Sequence, residues 1–351
     1  MKVFHCERCQ QLVFFENSRC VRCDSALAYS PESRRMTSLA SASNDVKLCQ
    51  NYEAHSICNW SVAAEDTDPL CRSCRLTRVI PDLADPAHLD SWHRVEAAKR
   101  RLLFTLLALE LPIVDRVRDP ERGLAFEFKA DPVDPAAPRV LTGHADGVIT
   151  VNIAEADDAE RERRRHSMGE PYRTLLGHLR HESGHYYWER LVEHTPAIDG
   201  FRALFGDEQC DYAGALDAHY ASGPPADWQS RFVSAYASSH PWEDWAETWA
   251  HYLHMIDTLE TAAASGLQLQ PLRPGDPALP RMSPPVATGQ VPFAELIDRW
   301  FPLTYILNGL NRGMGLPDAY PFVLSTAAID KLAFVHDVIA RAEKNVAPRL
   351  L

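Results

Sequence analysis

"LGHLRHESGHYYWERL", residues 176–191, sets three histidines and two glutamates among leucines and aromatic side chains. Leu175, Leu176, Leu179, Tyr186, Tyr187, Leu191 and Val192 give the wider stretch 171–194 the apolar density of a largely buried helix. Its start is expected near Glu170 and Pro171, because an acid suits the helix N-terminus and proline lacks an N–H that the first turn leaves unpaired anyway. Burying that much imidazole is unfavourable unless the rings have partners. A metal ion is the partner that the spacing suggests.

The segment "HESGH", 181–185, has the form HExxH. Residues four apart lie one turn apart on one face, so His181 and His185 can each aim a ring nitrogen at one zinc ion, at ~2.0–2.1 Å. Glu182 projects beside them and is the expected general base. In that chemistry zinc brings the pKa of its bound water toward ~7, and Glu182 accepts the proton as the water attacks a polarised carbonyl, then delivers it to the leaving amine. His178 could support the site residues from behind or be an ordinary satisfied helix histidine, the latter being expected, and Tyr186, Tyr187 and Trp188 read as core. Gly184 weakens the helix by ~1 kcal/mol relative to Ala, which points to close approach by another element.

Two histidines do not complete a catalytic site. The longer form HExxHxxGxxH is absent, since Trp188 stands in place of its glycine and no histidine follows at 190 or 191. The best source of a third ligand is "SAYASSHPWEDWAETWAHYLH", 234–254. Pro241 opens a helix there, and Trp242, Trp245, Ala246, Trp249, Ala250 and Leu253 recur at helical spacing. Glu243 and Glu247 share a face, so one could ligate zinc while the other supports a histidine.

Eight of the nine cysteines precede residue 75. Cys6, Cys9, Cys20 and Cys23 form two CxxC pairs, which can present four thiolates tetrahedrally to a structural zinc, with a β-hairpin expected between the two knuckles and a turn at Glu16-Asn17-Ser18. Cys49, Cys58, Cys71 and Cys74 form a looser second quartet in which His55 could replace one sulfur. Residues 32–46, "ESRRMTSLASASNDV", read as a linker. Cys210 reads as an ordinary thiol. A segment this short has little core, and metal can supply ~10–16 kcal/mol of apparent folding energy to such a site.

The 351-residue chain carries a net charge of -12, and its first hundred residues are close to neutral. The acidic remainder disfavours nucleic acid as a partner, and the basic runs at 99–101 and 161–165 lack interleaved aromatic residues. No run approaches the ~20 apolar residues of a membrane span, and the opening residues lack the apolar core of a secretory signal, so a cytoplasmic protein without a membrane partner is expected.

The helix reading "EDWAETWAHY", 57 residues beyond the HExxH segment, resembles that of the gluzincin-like zinc peptidases. Several of those have a tyrosine seven residues before the ligand glutamate. The resemblance implies Glu243 as third ligand, Glu247 as support for a histidine, and Tyr236 as hydrogen-bond donor to the oxyanion, a contribution commonly worth ~3–4 kcal/mol in the transition state. Over residues 3–345 the cysteine-rich start, "TGHADGVITVNIAEADDAERERRR", "EPYRTLLGHLRHESGHYYWERL" and "PWEDWAETWAHYLH" resemble a bacterial family of zinc-binding metallopeptidases with an N-terminal zinc-ribbon domain.

The expected fold is α+β: a small cysteine-rich zinc-ribbon module over 1–80, with up to two four-cysteine zinc sites, then a mostly α-helical zincin-like catalytic domain with a small sheet over 81–351. Within it, 88–111 reads as an amphipathic helix, 139–157 as a hairpin in which His144 and Asp146 serve the turn, 262–292 as a long loop, and the remainder as two or three closing helices. One catalytic zinc and one or two structural zincs are expected. The expected function is hydrolysis of peptide bonds in a peptide or protein substrate, with a protein partner possible at the ribbon. Two alternatives stay open: a non-catalytic zinc protein that binds protein or nucleic acid through its ribbon, and a zinc amidohydrolase acting on non-peptide amides.

Overall fold

A computed structural model describes residues 2–39, 45–134, 136–168, 174–283 and 291–346. The architecture is α+β, and by contact the chain divides into two compact units, 1–107 with 113–161, and 108–112 with 162–351.

The first unit begins with three antiparallel hairpins: β1 (Phe4–His5) with β2 (Leu12–Val13), β3 (Leu27–Ser30) with β4 (Arg35–Ser38), and β5 (Val46–Leu48) with β6 (Ser61–Ala63). The first of these closes around Cys6 and Cys9 instead of lying between the two cysteine pairs. The turn signal after it is real, since Phe14 N donates to Asn17 Oδ1 at 2.7 Å. It redirects the chain toward the second pair without making a hairpin there. The expected linker is partly a strand: Met36 and Ser38 of β4 are buried, and β4 is held by pairing with the fully buried β3. Small polar residues hide this because strands so short depend on their packing, not on composition. His55, at the end of α1 (Gln50–His55), turns edge-on to the Trp92 ring at 5.4 Å and does not join the cysteines.

Aromatic packing joins these hairpins to α2 (Pro86–Ala108). Phe104 of α2 lies 5.0 Å from Phe15, which lies 5.1 Å from Tyr29, which in turn lies 5.3 Å from Trp60. Such pairs contribute ~0.5–1.5 kcal/mol each beyond area burial. Lys99 is buried on the same helix, bonded to Glu96 Oε1 at 2.9 Å and Thr77 Oγ1 at 2.5 Å. A four-stranded sheet follows in the order β7 (Thr77–Val79), β8 (Ala125–Lys129), β10 (Val148–Asn152), β9 (Gly143–Ala145), parallel except for the β9–β10 hairpin. Its turn uses Asp146 and Gly147 at φ 47° and 79°, and Gly147 N donates to His144 Nε2 at 3.0 Å. A Cβ on Gly147 would sit 2.4 Å from Arg122 O, so both conformation and space demand glycine. The boundary between units falls inside α3 (Asp158–Met168).

The second unit is helical: α4 (Leu175–Leu191), α5 (Ile198–Phe205), α6 (Tyr212–Ser222), α7 (Pro241–Ala264), α8 (Phe293–Gly313) and α9 (Thr326–Val346). The start expected for α4 at Glu170 and Pro171 lies outside the described residues. Thr174 caps the helix by accepting from Gly177 N at 2.9 Å, and the helix ends at Leu191. α7 begins at Pro241 as expected and runs into the stretch read as loop from 262. α8 and α9 are the closing helices.

The pairing of α4 with α7 builds the interior of this unit. A Cβ on Gly184 would lie 2.9 Å from Ala246 Cα and 3.2 Å from Trp249 Cβ, so the two helix backbones meet at a residue without a side chain. Trp245 Nε1 donates to Gly184 O at 2.9 Å and Trp249 Nε1 to Ser183 Oγ at 3.1 Å, which fixes the rotation of α7 about its axis. Arg180 adds a bond to Asp257 Oδ2 at 2.8 Å. α9 is tied on by the buried pair Lys331–Asp244, 2.6 Å apart. Among the described residues no helix is long and apolar enough to cross a membrane.

Candidate metal centres

The close α4–α7 contact brings the faces on either side of Gly184 together. His181 and His185 on α4 and Glu243 on α7 are buried, and their donor atoms all lie within 4.8 Å of one another. His181 Nε2 is 3.0 Å from Glu243 Oε2, and His185 Nε2 is 3.6 Å from Glu243 Oε1. Donors at ~2.0–2.1 Å around a tetrahedral ion are spaced at about 3.4 Å, and the His181 Nε2–Glu243 Oε2 separation is close to that. Two neutral nitrogens and one carboxylate are also a donor set that suits zinc.

The surroundings of the three ligand candidates are as specific as the three themselves. The other nitrogen of His181, Nδ1, pairs with Glu247 Oε1 at 2.7 Å, and Glu247 Oε2 accepts from Ser234 Oγ at 2.6 Å. That chain sets the ring orientation and leaves Nε2 facing Glu243 and His185. Burial opposes a charge on His181, yet the two carboxylates hold its pKa well above the ordinary histidine value. The ring of His185 packs against Trp242, with centroids 4.2 Å apart.

Glu182 lies beside this group without belonging to it. His178 Nε2, one turn earlier, is 3.1 Å from Glu182 Oε1. Burial pushes the carboxyl's pKa up, but the His178 bond and the neighbouring imidazoles outweigh it and bring the value below the usual glutamate range. Glu182 is therefore held as a carboxylate. His178, which reads from the sequence as an ordinary helix histidine, has this specific partner; i,i+4 spacing is its sequence signal, masked by the more conspicuous pair.

Tyr236 lies just before α7 with its ring centroid 6.0 Å from that of His181. Burial first, then the charge of Glu243, pushes its phenol well above the usual tyrosine pKa, so it remains a donor. A second phenol has no counterpart among the sequence expectations: Tyr212 OH, at the start of α6, donates to Glu243 Oε1 at 2.6 Å. Thirty-one residues separate the two in sequence with no periodic relation, so nothing in the spacing marks Tyr212. Ser234 is likewise absent from those expectations, although it stands in the quoted segment.

In the first unit the cysteines gather into the two expected groups, Cys6, Cys9, Cys20 and Cys23, and Cys49, Cys58, Cys71 and Cys74. Sulfur separations are 3.7 Å for Cys6–Cys23, 3.5 Å for Cys9–Cys20 and 3.6 Å for Cys58–Cys71. Four sulfurs at ~2.3 Å around a tetrahedral ion stand about 3.8 Å apart, so both groups have the dimensions of a zinc site and not of a disulfide. Cys210 lies outside both groups and is exposed.

Comparison with known proteins places the cysteine groups and the histidine–carboxylate centre in different segments of the chain. Residues 88–338 match the family described as "Putative zinc-binding metallo-peptidase", and residues 3–85 match a zinc-ribbon domain. An uncharacterized protein of Mycobacterium bovis is 47% identical over 350 residues, covering 99% of this chain and 98% of its own. Uncharacterized proteins from two strains of Mycobacterium tuberculosis match to the same extent. No solved structure matches. The chain thus belongs to this zinc-binding metallo-peptidase family, with a zinc-ribbon domain ahead of the family's own segment.

Proposed function

We propose that the protein is a zinc-dependent peptidase in which His181, His185 and Glu243 hold the catalytic ion, and Cys6, Cys9, Cys20 and Cys23 with Cys49, Cys58, Cys71 and Cys74 hold two structural ions. The observation that carries the reading is the division of labour among three carboxylates, of which Glu182 and Glu243 are buried and Glu247 is half-buried. Glu243 faces both imidazoles, Glu247 faces away from the centre onto His181 Nδ1, and Glu182 stands apart on His178. A structural site has no use for a third, separately held carboxylate.

Zinc at this centre supplies Lewis acidity, lowering the pKa of water toward ~7 and polarising a carbonyl. Glu182, kept ionised by His178 and the adjacent rings, accepts a proton from the attacking water and returns it to the departing amide nitrogen. Tyr236 keeps its proton because burial resists its ionisation, and donates toward the oxygen that gains charge in the transition state. Glu247 and Ser234 keep His181 in one orientation throughout. Eight ligand thiols must stay reduced to serve, which favours the cytoplasm.

The test is digestion of a complex peptide and protein library by the zinc-loaded protein, with Glu182→Gln in parallel, read by mass spectrometry of new termini. New termini produced only with the glutamate support the peptidase and report its specificity. Identical profiles would overturn the reading and turn attention to the zinc ribbon as a binding module.

A further inference from the structure

The helix α6 has no buried residue, yet the hydroxyl of its first residue, the exposed Tyr212, reaches the buried carboxylate of Glu243. Asp211 caps α6 by accepting from Gly214 N at 3.2 Å, so the chain enters the helix with Tyr212 directed by a fixed turn. The Tyr212 ring stands edge-on to His240, with centroids 5.0 Å apart. His240 in turn holds both neighbours: its Nδ1 accepts from Trp242 N at 3.1 Å, and its Nε2 donates to Cys210 O at 3.2 Å. The segment before α6 is thereby joined to the N-terminus of α7, one residue away from Glu243. The Tyr212–Glu243 bond at 2.6 Å completes that connection.

We infer that Tyr212 is a positioning residue for Glu243, and that through this bond docking of α6 and occupation of the metal centre are coupled. The inference rests on Glu243 being a metal ligand. A phenol on Oε1 leaves Oε2, the oxygen nearer His181, as the free donor, and draws charge from the carboxylate, which makes a bound ion more electron-poor. Because coupling is reciprocal, whatever fixes Glu243 also stabilises the docked position of α6, a helix with no buried side chain of its own.

The full chain, cleared of exchangeable metal, is titrated with cobalt(II) while chymotrypsin probes 206–227; Tyr212→Phe preserves the cleavage site, and Tyr220→Phe serves as control on the same helix. Thiolate-bound cobalt has intense near-ultraviolet bands that the histidine–carboxylate centre lacks, so the two kinds of site are read separately. In the wild type and in Tyr220→Phe, filling the histidine–carboxylate centre should slow cleavage in α6. In Tyr212→Phe cobalt affinity at that centre should fall ~10-fold, its visible bands should shift, and the protection should vanish. A Tyr212→Phe protein with wild-type affinity and undiminished protection overturns the coupling. Glu243→Gln distinguishes the other failure: if it keeps cobalt at the histidine centre, Glu243 is not a ligand and the basis of the inference falls with it.

Discussion

The cysteine groups and the histidine–carboxylate centre hold their ligands in opposite ways. Each cysteine group draws four sulfurs from one short stretch of chain, enough for protein alone to fill every donor position of a tetrahedral ion. The other centre takes three donors from two helices whose ligands are separated by 57 residues, and spends further side chains on orienting them: Glu247 and Ser234 behind His181, Tyr212 behind Glu243, and His178 behind Glu182. A closed set of thiolates needs no such support because the ion itself organises the loops. An open set must be held by the fold, since one position has to remain for a reactant.

The contrast implies that losing a ligand should cost most where the metal does the folding. Cys58→Ser should remove one zinc and, with it, on the order of 10 kcal/mol of metal-derived stability from the ribbon, so residues 3–85 should become protease-sensitive. His185→Ala should also remove one zinc, but α4 and α7 stay packed through Gly184 and the tryptophans, and circular dichroism should change little. Equal unfolding in the two variants would break the comparison. Next in size is Glu182→Gln, which should retain zinc yet lose ~10²–10⁴-fold in kcat, the usual contribution of a general base. A fully active variant would remove Glu182 from its assigned role.

Legibility in the sequence follows the same contrast. The double CxxC pairs and the HExxH turn are visible because ligand spacing in the chain maps directly onto geometry in a knuckle or on a helix face. Glu243, Glu247 and Tyr236 are visible through resemblance, and the burial pattern of α7 supports the helix that carries the two glutamates. Tyr212 and Ser234 are not legible, since each is defined by a tertiary contact with a carboxylate and by nothing local. Strand β4 is hidden for a related reason: "RMTS" has no strong strand signal and is a strand because β3 is beside it. Gly184 reads correctly as a point of close approach, because a glycine inside a buried helix needs a packing reason.

That glycine supplies a smaller, sharper prediction. Gly184→Ala improves helix propensity by ~1 kcal/mol but forces a Cβ into Ala246 Cα at 2.9 Å, where backbone on the facing helix cannot move aside cheaply. Overpacking of this kind costs ~1–3 kcal/mol, so the net effect on denaturant unfolding should be destabilisation of up to about 2 kcal/mol, with cobalt affinity at the histidine centre reduced and the thiolate bands untouched. A variant more stable than the wild type, with cobalt affinity intact, would mean that α7 can back away while the site survives, and that the two helices are less strictly registered than their tryptophan bonds indicate.

Smallest should be the effect of Ser234→Ala, which removes a group two bonds behind a ligand. Glu247 keeps its contact with His181 but loses the 2.6 Å donor on its other oxygen, so the carboxylate gains rotational freedom and His181 loses part of its fixed orientation. Direct outer partners of a ligand are worth ~10–100-fold in metal affinity, and Ser234 acts one step further out, so a decrease of about tenfold or less is expected at the histidine centre alone. Glu247→Gln should exceed it, because an amide cannot hold the Nδ1 proton of His181 as a carboxylate does. The order Glu247→Gln above Ser234→Ala, with the cysteine sites unmoved in both, is what distinguishes a centre held by its fold from one held by its ion; reversal of that order would mean that Ser234 orients His181 by a route other than Glu247.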